Sequence, residues 1–195
     1  MINEIAQARE RVTLRRASPA DTDLVLAWRA EPSALRYQPL RQLSADALRE
    51  RLTARAASPL DPSCATDVQW IVETTEGPVG WMTVEVTSRE HGIGTLGYTI
   101  GERFRRRGLA TAAVRAVFPL VFAPTMLDLY RLEAVAAIEN TASRAVLERT
   151  GFRSEGIARA LLVIDSVRVD HARYALLRPE WERTGANQPD RAPGV

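Results

Sequence analysis

A single mixed α/β domain is what this sequence predicts, and three features carry the prediction. First, the stretch Gly97 to Ala112 reads as a strand, an arginine-laden turn and a helix in direct succession. Second, the apolar run Leu132 to Ile138 leads straight into a short helix, giving strand–helix–strand–helix through the middle of the chain. Third, paired strands flank that unit, Val68–Glu73 with Val79–Thr87 before it and Phe152–Ile164 with Val167–Leu177 after it. At 195 residues one sizeable core is expected, with no internal repeat. The organisation expected is a flexible lead-in over 1–10, one domain over 11–182 and a disordered tail over 183–195.

Each element has a local cause. Val12 to Ala17 alternates and reads as the first strand. Ser18-Pro19-Ala20-Asp21 supplies a cap and a first-turn proline for a helix faced by Leu24, Val25, Leu26 and Trp28. Glu31-Pro32 ends it, and Tyr37-Gln38-Pro39 reads as loop. Ser44 caps a further helix carrying Leu48 and Leu52. Turns at Glu76-Gly77-Pro78 and Arg89-Glu90-His91-Gly92 separate the next strands, and the central strand runs from Thr95 to Ile100. The helix opening near Gly108 meets Pro119, which removes a backbone donor and is expected to kink or end it. Leu132 to Ile138 suits a buried strand, Thr141 to Arg149 a short helix stopped by Gly151. Asp165-Ser166 joins the last two strands.

Composition removes several classes. A net charge of +2 does not announce a nucleic-acid binder, so nucleic acid is an unfavoured partner. All 26 basic residues are arginine, as codon bias in a GC-rich genome would produce; avoidance of self-modified lysines is the other explanation. The single cysteine, Cys64, excludes an internal disulfide framework, points to a reducing compartment and lies in a probable-loop composition rather than a nucleophile's setting. No secretory leader opens the chain and no apolar run approaches the ~20 residues of a membrane span, so a soluble cytoplasmic protein is expected, monomer or homodimer. No metal is called for. The missing G-x-G-x-x-G excludes a dinucleotide-binding oxidoreductase.

Chemistry concentrates at the turn before Leu109. A helix that opens directly after a strand leaves backbone N–H groups unpaired at the positive end of its dipole, and phosphate is the usual guest. Gly108, with no Cβ, lets a phosphate approach closely, and Ala110 does so less fully. Arg103, Arg105, Arg106 and Arg107 are either a solvated basic edge or part of that anion site.

The spacing Arg105-x-x-Gly108-x-Ala110 resembles the pyrophosphate loop of the GNAT superfamily of N-acetyltransferases. A second match, Asn140, Ser143, Gly151, Phe152, Glu155, Gly156 and Arg159, resembles the ribosomal-protein N-terminal acetyltransferase (Rim) branch of that superfamily. Leu96-Gly97-Tyr98 resembles its central strand; Leu162 to Asp165, Asp170-His171 and Pro179-Glu180-Trp181 look like its C-terminal strands. The resemblance spans Val12 to Trp181.

It implies a mostly antiparallel sheet splayed at one central parallel pair, with acetyl-CoA wedged between strands ending at Ile100 and Ile138. Arg105, Arg106, Arg107, Gly108, Leu109, Ala110 and Thr111 would hold the diphosphate, Asn140 the pantetheine arm, and a central-strand N–H the thioester carbonyl. An amine then attacks the thioester directly. Relatives use a tyrosine in the second helix as the proton donor; Leu147 stands there, and Ser143 is the substitute that the resemblance suggests. Glu85, on the strand beside the central one, is the candidate base, acting directly or through water, or an exposed strand glutamate without chemistry; Thr95 stands where relatives often have a glutamate, which leaves base and amine specificity open. Tyr37, Glu31, His91 and His171 are candidates for the amine pocket; Glu155 and Arg159 read as a structural ion pair. The acceptor expected is a protein N-terminal α-amine; a polyamine or aminoglycoside is the alternative within the enzyme class, and an arginine-rich RNA- or ribosome-binding module the alternative outside it.

Overall fold

The computed structural model describes residues 12–39, 43–64 and 66–184. The expected lead-in and most of the expected tail lie outside them. The strands are β1 (Thr13–Arg16), β2 (Asp67–Thr74), β3 (Gly77–Ser88), β4 (Ile93–Ile100), β5 (Arg131–Ala137), β6 (Arg153–Ile164) and β7 (Val167–Leu177). The α-helices are α1 (Thr22–Arg29), α2 (Pro32–Tyr37), α3 (Ala45–Ala57), α4 (Leu109–Phe122), α5 (Thr141–Arg149) and α6 (Arg178–Arg183).

The strands form one sheet in the order β1-β2-β3-β4-β5-β7-β6. Neighbours are antiparallel except β4 and β5, which run parallel through α4 as crossover. That parallel pair holds for three rungs, Ile93 with Arg131, Gly94 with Leu132 and Thr95 with Glu133. Beyond them β4 stays bonded to β3 as far as Ile100, and β5 to β7 as far as Ala137. Each strand thus keeps its outer partner while losing its inner one. The sheet opens as a V with its apex at Thr95 and Glu133.

Period-two alternation sorts β3 onto two cores. Met82 and Val84 join the larger core beneath α4, with Val117, Phe118 and Phe122; Trp81 joins a smaller one with Val25, Trp28, Leu48 and Leu52 of α1 and α3. The ring of Trp181 stacks on Phe122 at 5.3 Å. Asp165 and Ser166 have φ of 47° and 64°, the two left-handed positions of a tight hairpin turn.

Four expectations change. Pro119 neither ends nor replaces a turn of α4, which continues to Phe122. A proline one turn from a helix end forfeits one bond, and burial of Val117, Phe118, Val121 and Phe122 outweighs it. Pro32 does more than end α1: it opens α2 at the first helical position, so Tyr37 closes a helix instead of lying in a loop. Pro179-Glu180-Trp181 lies in α6 rather than in a strand, again behind a first-turn proline. Glu155 pairs with Arg131, not Arg159.

Candidate active site

A cavity of about 940 Å³ fills the V. Its walls are Leu96 to Ile100 of β4, Ala134 to Ala137 of β5, the start of α4, the first turns of α5 and the end of α2.

The α4 end is built from backbone. Gly108 caps the helix at φ 79°, and Arg106 before it sits at φ 63°. Ala112 N donates to Gly108 O (3.0 Å), so the amides of Leu109, Ala110 and Thr111 have no partner within the helix. All three residues line the cavity, and among the described residues nothing outside the turn and helix itself stands within 4 Å of the place where a Cβ on Gly108 would be. Open space in front of unpaired amides at a helix N-terminus fits a diphosphate.

The arginines divide. Arg106 lines the cavity. Arg105 lines it too, but its Nε donates to Ile100 O (2.9 Å) and its guanidinium lies 3.7 Å from Glu31, fastening the turn to the end of β4. Arg107 is not in the wall; it reaches Glu76 in the β2–β3 turn at 2.6 and 3.1 Å.

Across the V, Asn140 caps α5, its Oδ1 accepting from Ser143 N (3.1 Å). The cap occupies the amide oxygen and leaves the two N–H donors for a ligand. Ser143 Oγ lies 2.9 Å from Tyr98 Oη, either hydroxyl being able to donate, and Oη is within donating distance of Ser143 O (3.3 Å). Burial pushes the Tyr98 phenol up to about 12 despite the opposing hydrogen bond from Ser143. The Tyr98 carbonyl accepts from Gln38 Nε2 (3.4 Å) on the side that β5 has vacated. A strand residue points its N–H and C=O the same way, so the Tyr98 amide faces the gap as well. Sequence reading passed over Tyr98; the signal was there, a phenol at period two with the buried Leu96 and Ile100. Leu147 is fully buried in the core and offers no donor.

Glu85 is not in this cavity. It is exposed on β3, opposite Thr95, on the face shared with Trp81 and away from α5. There it lines a polar recess of about 210 Å³ with Arg29, Arg51, Arg55, Asp67 and Gln69. Trp81, Leu96 and Gly97 belong to both walls, so recess and cleft meet beside the apex. Glu85 and Ser143 therefore flank the apex from opposite faces of the sheet. Tyr37 and His171 line the cleft. His171 is buried with Nδ1 2.9 Å from Val169 O; a carbonyl only accepts, so Nδ1 carries the proton and Nε2 is the basic nitrogen. Glu31 accepts from the Glu102 amide (3.0 and 3.1 Å), and His91 lies in the turn at the far end of β4. Among the described residues no helix is long and apolar enough to cross a membrane.

The site is thus a cleft at one split parallel pair, with helix-end amides turned into it on one arm. Residues 11–153 match the acetyltransferase (GNAT) domain family, and the chain belongs to that family. The putative ribosomal N-acetyltransferase YdaF of Bacillus subtilis is 41% identical over 87 residues, 45% of this chain and 46% of that protein. The ribosomal protein uS5-alanine N-acetyltransferase of Escherichia coli is 34% identical over 86 residues, 44% of this chain and 43% of that protein. The chain thus matches about half the length of each, and both carry its likeness to the Rim branch. A crystal structure of Vibrio cholerae spermidine N-acetyltransferase with CoA and spermine shares the fold at TM-score 0.77 and 18% identity, over 88% of this chain and 98% of that one.

Proposed function

We propose that the protein transfers the acetyl group of acetyl-CoA to the α-amine of a protein N-terminus. The observation that carries this reading is the junction of cleft and recess at the apex, which gives cosubstrate and acceptor separate approaches to one point. The amides of Arg106 to Ala110 hold the diphosphate, with Arg106 and the Thr111 hydroxyl beside them. Asn140 donates to the pantetheine arm, and the Tyr98 amide accepts the charge that grows on the thioester oxygen.

Glu85, on the recess side, takes the proton of the attacking nitrogen directly or through water. The C–N bond forms as the C–S bond breaks. Ser143, held by Tyr98, donates to the departing sulphur on the other face, so one proton leaves nitrogen and one reaches sulphur. An α-amine suits an exposed glutamate as base, because its pKa of roughly 7.7–8.0 demands far less help than the ~10.4 of lysine. A thiolate near ~8.5 needs no more than one donor.

Binding of RNA through the arginine turn is the weaker reading, since Arg105 and Arg107 spend their charge on Ile100 O and Glu76. A polyamine acceptor sits poorly with three arginines in the recess. Release of free thiol from acetyl-CoA, followed with N-terminal peptides, spermidine and an aminoglycoside in parallel, tests the assignment. Turnover is expected with peptides; no thiol from any amine would overturn it. Glu85→Gln is expected to lower kcat while acetyl-CoA affinity holds, and unchanged turnover would remove Glu85 from the chemistry.

A further inference from the structure

We propose that the recess beside Glu85 receives an acidic side chain of the acceptor, so that preferred N-termini carry Asp or Glu one or two residues behind the reactive amine. This rests on the acetyltransferase reading above and adds the acceptor's chemical class.

Three guanidinium groups line the recess, Arg29 from α1 and Arg51 and Arg55 from α3, against the two carboxylates of Asp67 and Glu85. Asp67 is already matched: Arg55 grips it at 2.6 Å, and Arg51 lies 3.8 Å away. Arg55 also donates to Gln69. The remaining balance is cationic. Burial, and after it the charges of Arg51 and Arg55, press the Arg29 guanidinium below its ordinary value. An arginine does not surrender its proton under such pressure, and an anion entering the recess lowers the cost of holding three guanidinium groups together.

Trp81 belongs to the wall common to recess and cleft. Trp81 is 8% exposed, and its Nε1 has no hydrogen-bond partner among the described residues. An indole N–H only donates, so its complement is an oxygen. Arginine forks suit a carboxylate and repel a polycation. About 210 Å³ is room for a side chain, not for a folded surface. Gly97 lines both recess and cleft, and a Cβ there would meet Thr83 Oγ1 at 2.8 Å, so a larger residue fits only if Thr83 shifts. A chain whose amine reaches the thioester then has its next residues within the recess.

The test compares kcat/KM for peptides that differ only at the second and third positions, Asp against Asn against Lys, by thiol release. Wild type should favour Asp over Asn about tenfold and reject Lys. Arg51 is half exposed on α3, so Arg51→Gln should fold and should collapse the Asp-to-Asn ratio towards one. Arg51→Glu should turn the preference towards Lys, a result that damage to the fold cannot produce. Because each readout is a ratio within one protein, a general loss of activity cancels. Equal use of Asp and Asn peptides by wild type would overturn the inference and leave peptide acetylation standing. Thiol release with spermidine but with no peptide would overturn both.

Discussion

Tyr98 Oη and Ser143 Oγ stand 2.9 Å apart, a bond that ties β4 to α5 across the opening between β4 and β5. Tyr98 is deprived of water and keeps its proton, its pKa pushed up to about 12, chiefly by burial. Either hydroxyl can donate in this bond; when the phenol turns its hydrogen to Oγ, Ser143 is free to point its own at a departing sulphur.

Ser143→Ala should therefore lower kcat about 10²-fold, the usual size of one acid–base contribution, with acetyl-CoA binding retained. Tyr98→Phe should cost less, about tenfold, because the hydroxyl that donates is still present but no longer oriented. Single-turnover rates beside calorimetric affinities separate chemistry from binding. Wild-type turnover in Ser143→Ala would take that hydroxyl out of the mechanism.

The same phenol sets a pH signature. With a peptide acceptor, kcat/KM should rise through about pH 8 as the α-ammonium loses its proton. Tyr98 adds no falling limb below pH 10. In stability the sign is opposite: the folded state holds this proton more tightly than the unfolded chain, whose phenol titrates near the ordinary 10.0. Its contribution is whole below pH 10 and is lost as pH climbs towards 12. Melting temperature against pH should fall less steeply over that window in Tyr98→Phe.

The sheet was legible because period two, turn glycines and one long apolar run do not compete with one another over Val68–Ile100 and Leu132–Leu177. The prolines misled because one residue type has two meanings: Pro32 and Pro179 open helices where a terminator or a strand was expected, and Pro119 is overridden by packing. At the site, the Gly108 turn and the Asn140 cap are local and could be read from spacing. The Tyr98–Ser143 bond joins residues 45 positions apart, and the arginine recess is assembled from α1, α3, β2 and β3. Nothing within any one of those segments advertises the others.

Asp21 offers a stability test away from the cleft. Burial by itself would raise its pKa, but bonds from Arg15 at 2.9 and 3.0 Å and from the Ser18 amide at 2.8 Å outweigh it and hold the carboxyl below the ordinary 3.8. Asp21→Asn should cost about 2 kcal/mol by urea denaturation at neutral pH. The folded-state pKa is depressed, so this stabilisation is present above about pH 4 and drains away as pH falls below it. Denaturation midpoints of the two proteins should converge at the acid end; a gap that stays constant with pH would assign the loss to packing instead of charge.

Gly108→Ala probes the turn through backbone conformation alone. At φ 79° a Cβ costs about 1 kcal/mol, although no neighbouring atom crowds it. The larger effect should fall on acetyl-CoA, because the methyl would stand between the amides and a diphosphate. A rise of about tenfold in the acetyl-CoA dissociation constant is expected, with a smaller effect on acetylpantetheine, which lacks the diphosphate. Equal weakening of fragments with and without diphosphate would place the anion elsewhere.

Asn140 carries two duties that one pair of substitutions can pull apart. Its Oδ1 caps α5 by accepting from Ser143 N, and its amide N–H groups are what remain for the pantetheine arm. Asn140→Ala removes both and should lose about 1 kcal/mol of stability together with cosubstrate affinity. Asn140→Asp keeps an oxygen of equal capping strength, deletes the donors and adds a negative charge. It should unfold at the wild-type urea midpoint while binding acetyl-CoA about tenfold more weakly. Should Asn140→Asp bind as tightly as wild type, the residue is a cap and nothing else, and the pantetheine arm must take its hydrogen bonds from the open edges of β4 and β5.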